Sequence, residues 1–232
     1  MKKEILARTI FDTVASKRIV KTGFVAAPGG IYIHECDSVA AHSNAVAVLA
    51  TIIACEFKDQ IKDETGIEID PGNIALMAIF HDFGETKSGD TGAQSKGVYP
   101  ADACKLHYLE REGLQTCLNG LKAETRVISS FDQYRTYNSP EAIIVHIADN
   151  LEGFEKALSS SRGTPGIMNM AIRIMKENLE IYSRKKDIDV NLGKVCTLMV
   201  EEVLLPGLQK IIDGYGYKYD ITEKILNHTE AC

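Results

Sequence analysis

Apolar residues recur along this chain at helical spacing, with polar residues filling the positions between them. Residues 3–17 read as a first helix with Ile5, Ile10, Phe11 and Val14 on one side. Gly23 to Ala27, the Pro28-Gly29-Gly30 break and Ile31 to His34 suggest a small β-hairpin near residues 23–34. Asp37 or Ser38 is placed to cap a long helix running to about Lys62, on which Val39, His42, Val46, Leu49 and Ile53 share a stripe. Pro71 and Asn73 open a short helix ending near His81-Asp82-Phe83, and Thr86 to Pro100, rich in Gly, Ser and Thr, reads as a long ordered loop. Helices then fit residues 101–122, 123–136, 140–158, 166–186 and 190–213, with Pro140 and Pro165 as punctuation. No repeat, low-complexity tract or linker interrupts this pattern. One all-α domain over residues 1–232 is the expectation, with the hairpin as its one β feature.

Composition narrows the class. A chain of 232 residues, 45% hydrophobic and 25% charged, can bury about 70% of its unfolded surface without staples. That excludes a disulfide mini-protein, a collagen and a disordered chain. The net charge of −6 argues against a protein that coats polymeric nucleic acid, although an acidic protein can still hold a locally positive pocket for a small anion. The six cysteines (Cys36, Cys55, Cys104, Cys117, Cys196 and Cys232) form no C-x-x-C pair and are expected to be reduced and structural. The amphipathic N-terminus, interrupted by Arg8 and Asp12, does not read as a signal peptide. The longest apolar run, Ala45 to Cys55, falls short of the roughly 20 residues that span a bilayer. A cytoplasmic protein without membrane contact is expected.

The candidate chemistry lies where ionisable residues interrupt apolar helices. His81-Asp82 ends the run Ile74 to Phe80, His42 sits on the stripe of the long helix, and Asp149 follows Ile143 to Ala148. Burying such groups is costly unless something compensates, and a metal ion is the usual compensation. Two imidazoles and two carboxylates suit one divalent transition metal (Mn, Co, Fe, Ni or Zn, with Mg also accommodated) better than Ca, and leave about two octahedral positions for water and substrate. A lone buried His is usually an ordinary core residue; four such residues on three helices favour the metal. His146 shares a helix face with Asp149 and is a rival ligand, or a support for one.

The order H…HD…D resembles the HD-superfamily metal-dependent phosphohydrolases. The flanking residues resemble its 5′-deoxynucleotidase branch: Lys21-Thr22-Gly23-Phe24, Cys36-Asp37-Ser38-Val39-Ala40-Ala41-His42-Ser43, His81-Asp82-Phe83-Gly84-Glu85 and Ser88-Gly89-Asp90. That branch typically shows R-(T/W)-(G/P), E-(S/N)-V-(A/S)-E-H-S, H-D-x-x-E and (T/S)-G-D. The resemblance covers about residues 5–160, leaving helices at about 165–228 to complete or cover this core. Three departures touch the substrate side: Lys21 in place of Arg, Asp37 and Ala41 in place of Glu, and Thr91-Gly92-Ala93-Gln94 in place of a proline-containing turn.

The resemblance implies hydrolysis of the 5′-phosphate of nucleoside monophosphates, deoxy ones foremost, by a homodimer. His42, His81, Asp82 and Asp149 are the expected metal ligands. Glu85, three residues after Asp82, is the expected general acid or base, with a cap or ion pair as the plainer reading. Lys21 and then Arg18 are phosphate candidates, lying in a stretch (residues 1–22) with six basic and two acidic side chains. Asp90 resembles a substrate-side residue, with an Asx-turn as its plainer reading. No G-x-x-x-x-G-K-[ST] phosphate loop occurs. Two alternatives stand beside this reading: an HD hydrolase of another phosphoester (cyclic nucleotide, nucleotide polyphosphate or sugar phosphate), and a non-catalytic metal-binding regulatory protein.

Overall fold

A long apolar helix organises the molecule, and its sequence explains both ends. In a computed structural model describing residues 2–21, 37–90, 100–161, 165–217 and 220, this helix, α2, spans Val39–Thr65. Ser38 caps it by accepting from the Ala41 amide, and Gly66, at φ 74°, closes it in the left-handed conformation that glycine adopts without strain. By length and composition α2 could cross a bilayer, a longer apolar helix than the sequence run indicated. Here its face from Val39 through Ile61 is buried.

The elements before α2 are α1 (Lys2–Ala15) and a 3-10 turn, Ser16–Arg18. After it come α3 (Pro71–Phe80), α4 (Glu85–Ser88), α5 (Pro100–Leu118), α6 (Glu124–Thr136), α7 (Pro140–Ser161), α8 (Pro165–Lys185), α9 (Val190–Met199) and α10 (Leu205–Gly214). Among the described residues there is no strand, only an antiparallel bridge between Val20 and Ser38. The hairpin expected at residues 23–34 lies outside the described residues. The all-α class expected from periodicity is the observed one.

Two apolar clusters form the interior. The larger joins α2, α3, α7, α8, α9 and α10 around fully buried residues such as Ile61, Ile74, Met77, Ile143, Ile147, Phe154 and Met199. The smaller packs Phe83 with Leu114, Cys117, Leu118, Val127 and Phe131 of α5 and α6. Ala78 belongs to the first cluster and Phe83 to the second, so the His81-Asp82 pair lies on the seam between them. Burial pushes the thiols of Cys117 and Cys196 up to about 12, as expected of inert structural cysteines.

Three features depart from what the apolar pattern alone would suggest. The apolar side of α1 does not face the core: Ile10, Phe11 and Val14 are exposed. Polar residues turn inward instead, with Thr9 donating to the Cys117 carbonyl at 2.7 Å and buried Asp12 pairing with Lys87 at 2.6 Å. The segment read as loop from Thr86 begins inside α4. The helix expected over residues 190–213 is not uniform: a π-helical turn, Val200–Leu204, joins α9 to α10. Pro206 is the physical reason, because a proline ring offers no N–H and clashes with the carbonyl four residues back in a regular α-helix.

Candidate metal centre

Each candidate ligand is delivered by a different structural device. His42 sits in the first turn of α2, with its amide bonded to the Ser38 carbonyl at 3.0 Å. His81 is the residue after α3, where Asp70 caps the helix and Pro71 opens it. Asp82 follows in the turn to α4, and Asp149 comes from the middle of α7. Their side chains converge. His42 Nε2 is 3.3 Å from His81 Nε2, 3.4 Å from Asp82 Oδ2 and 3.1 Å from Asp149 Oδ1. His81 Nε2 is 3.1 Å from Asp82 Oδ2 and 3.9 Å from Asp149 Oδ1. One atom each of His42, His81 and Asp82 lies within 4.8 Å of the others, and all three residues are buried.

The donor set can be tested against a cation. His81 Nδ1 donates to the Ala78 carbonyl at 2.7 Å, and His42 Nδ1 donates to Glu152 Oε2 at 2.6 Å. With those protons committed to Nδ1, each ring, when neutral, would turn an Nε2 lone pair toward the other ring and toward two carboxylate oxygens. This is a cluster of acceptors that only positive charge can satisfy, and its nitrogen and oxygen atoms fit a divalent transition metal. A proton on His42 answers the same demand for positive charge that a cation would. Burial opposes charge on His42, yet Asp149, Asp82 and Glu152 together raise its pKa well above the ordinary value. Burial likewise works against ionised Asp82 and Asp149, and the surrounding imidazoles, with Lys21 beside Asp82, hold both carboxyls below the ordinary range.

Lys21 stands on the same edge. The Val20–Ser38 bridge places it, through its amide bond to the Asp37 carbonyl at 2.9 Å. Its ammonium lies 2.6 Å from Asp82 Oδ2, 3.1 Å from Glu85 Oε2 and 3.4 Å from Asp90 Oδ1. Burial works against that charge, but the three carboxylates outweigh it and raise the lysine pKa. Glu85 itself is buried in the first turn of α4. A close backbone approach fixes this turn. A Cβ on Gly84 would sit 2.0 Å from the Glu110 carbonyl oxygen, so only glycine lets α4 rest against α5. Arg18, by contrast, ends the 3-10 turn as an exposed residue and is not among the side chains gathered here.

His146 is not turned toward the cluster. Its Nε2 donates to the Tyr134 carbonyl at 2.8 Å, and its ring is stacked between Tyr134 and Tyr137, with centroids at 3.9 Å and 3.5 Å. It braces Tyr134, whose hydroxyl donates to Asp149 Oδ2 at 2.9 Å. Sequence reasoning missed Tyr134 and Glu152. Glu152 left a signal, since Asp149 and Glu152 share a helix face at i,i+3. Tyr134 left none, being one aromatic on an ordinary amphipathic helix.

A protein-family model, 5′-deoxynucleotidase YfbR-like, matches residues 24–188. That match runs past the segment carrying the sequence resemblance and through α8. Among curated proteins no sequence matches. Solved structures share the fold. A conserved hypothetical protein from Pyrococcus furiosus is 20% identical, over 89% of this chain and 96% of that one, at a TM-score of 0.52. The PH0347 protein from Pyrococcus horikoshii OT3 is 24% identical, over 81% and 98%, at 0.55. A protein titled a predicted metal-dependent phosphohydrolase, from Magnetospirillum magnetotacticum, is 15% identical, over 92% and 97%, at 0.55.

Proposed function

The chain belongs to the YfbR-like 5′-deoxynucleotidase family, and on that premise we propose that it is a metal-dependent phosphohydrolase that releases the 5′-phosphate of deoxynucleoside monophosphates. One observation carries the reading. His42 Nε2, His81 Nε2 and Asp82 Oδ2 lie within 3.4 Å of one another and Asp149 Oδ1 is 3.1 Å from His42 Nε2, beside a third carboxylate, Glu85, that Lys21 holds.

These four residues would hold one divalent cation, of Mn, Co, Fe, Ni, Zn or Mg. Such an ion supplies a Lewis acid for a phosphate oxygen and a bound water of lowered pKa. The remaining work falls to the chain. Glu85 Oε2 accepts a proton from the attacking water, or returns one to the departing sugar oxygen. Lys21 Nζ, 3.1 Å from Glu85 Oε2, orients that carboxylate and adds positive charge on the phosphate side. It does so as a point charge, without the bidentate fork of an arginine. Asp90 Oδ1 lies 3.4 Å from the same ammonium and is the candidate substrate-side carboxylate. Phe83 anchors the turn to α4 in the smaller apolar cluster, and Asp149 is the most exposed of the four candidate ligands.

The test is inorganic phosphate release from a panel of deoxynucleoside and ribonucleoside monophosphates, cyclic nucleotides, nucleoside triphosphates and sugar phosphates, with Mn²⁺, Co²⁺ or Mg²⁺. Preferential release from the deoxynucleoside monophosphates, reduced about 100-fold or more in Glu85→Gln with metal binding retained, is the expected result. Turnover confined to another phosphoester would keep the reaction and change the substrate. A protein that binds metal but hydrolyses none of them would be the regulatory protein instead.

A further inference from the structure

We propose that Glu152 is a positioning residue of the metal centre, acting through His42. The inference rests on the metal-site reading above. The two histidines of the cluster are held in different ways. His81 Nδ1 is bonded to the carbonyl of Ala78, part of the helix that delivers it, so α3 itself sets that ring. His42 has no such backbone partner. Its Nδ1 is held by Glu152 Oε2 at 2.6 Å, a side chain from α7, which is 110 residues further along the chain.

A hydrogen bond at Nδ1 points away from Nε2. Glu152 therefore lies behind the ring and is not itself placed to ligate. Its effect is on the ring. It commits the imidazole proton to Nδ1, leaves Nε2 as a lone pair facing Asp149 and His81, fixes the ring's rotation and makes Nε2 a stronger donor. Asp149 and Glu152 are one turn apart on α7. That helix thus supplies one ligand directly and sets the orientation of another delivered by α2. The next turn ties the same two regions again, through Lys156 and Asp37 at 3.1 Å. This second tie touches no candidate ligand and separates a structural role from a positioning one.

The experiment titrates the full chain with Mn²⁺ by calorimetry and records the visible spectrum of the Co²⁺-loaded protein, for wild type, Glu152→Ala, Glu152→Gln and Lys156→Ala. Glu152→Ala is expected to weaken Mn²⁺ binding 10- to 100-fold and to change the Co²⁺ ligand-field bands. Glu152→Gln, whose amide oxygen can still accept from Nδ1, is expected to recover most of the affinity, and it decides the question if the alanine variant fails to fold. Lys156→Ala is expected to bind as wild type does. Wild-type affinity and spectrum in Glu152→Ala, or equal losses in Glu152→Ala and Lys156→Ala, would overturn the inference while leaving the metal site standing. A wild-type protein that takes up neither ion would overturn the site and the inference together.

Discussion

Tyr134 donates its hydroxyl to Asp149 Oδ2 at 2.9 Å while Asp149 Oδ1 faces His42 Nε2 at 3.1 Å. The two oxygens of one carboxylate are thereby given separate tasks. Burial, with Asp149 beside it, keeps the phenol protonated well above its ordinary range, so the bond persists at any working pH. Tyr134→Phe keeps the stack on His146 and loses only the hydroxyl. Its Mn²⁺ affinity should fall about 10-fold. Its stability should fall by about 1 kcal/mol, a thermal midpoint lower by a few degrees. An unchanged metal affinity would show that Asp149 needs no brace.

Lys21 is surrounded by Asp82, Glu85 and Asp90, and in the proposed reaction its ammonium also serves the phosphate. Its charge opposes a metal cation and favours a phosphate. Lys21→Met should therefore lower kcat/KM for phosphate release by about 100-fold and leave divalent-metal affinity equal or tighter. Steady-state kinetics and metal titration on the same preparation check this. Weakened metal binding with unaltered turnover would contradict it.

Much of this architecture was legible in the sequence where burial imposes periodicity. The stripe Val39, Val46 and Ile53 forms the buried face of α2, and Ile143 to Ala148 belong to a helix segment buried nearly all round. His42, His81, Asp82 and Asp149 stood out because ionisable groups inside such runs need compensation. The failures fall where another force governs. On α1 the apolar residues gave no guide, because Thr9 and Asp12 find specific partners on α5 and α4 and leave Phe11 69% exposed. Thr86 to Ser88 carry loop-like residue types but continue a helical turn secured by the contact of Gly84 with Glu110, which no local pattern encodes. Glu152 bonds to His42, 110 residues away, and Tyr134 to Asp149 on the next helix, and only the fold reveals these pairings.

His146 supplies a pH dependence of stability. Burial depresses its pKa to about 3, against about 6.5 in an unfolded chain. Between those values the unfolded chain takes a proton that the folded one refuses. The stabilisation is complete above about pH 6.5 and is lost as pH falls, at up to about 1.4 kcal/mol per pH unit. Asp82 and Asp149 add losses of the same sign only below about pH 4. His42, raised, has the opposite sign, its contribution fading as pH rises through its folded value. Urea unfolding of the metal-saturated protein at pH 5 and pH 7 should show wild type losing about 2 kcal/mol more than His146→Gln on acidification. Equal losses would mean that His146 is not buried as a neutral ring.

In the proposed function His42, His81, Asp82 and Asp149 form a metal centre that hydrolyses a phosphomonoester. Metal content and phosphate release from deoxynucleoside monophosphates, measured together on chelator-treated and Mn²⁺-reconstituted wild type and on Asp82→Ala, test it most directly. The expected result is one equivalent of metal in the reconstituted wild type, release only after reconstitution, and loss of both in Asp82→Ala. Full release by the chelator-treated protein, or undiminished release by Asp82→Ala, would contradict it.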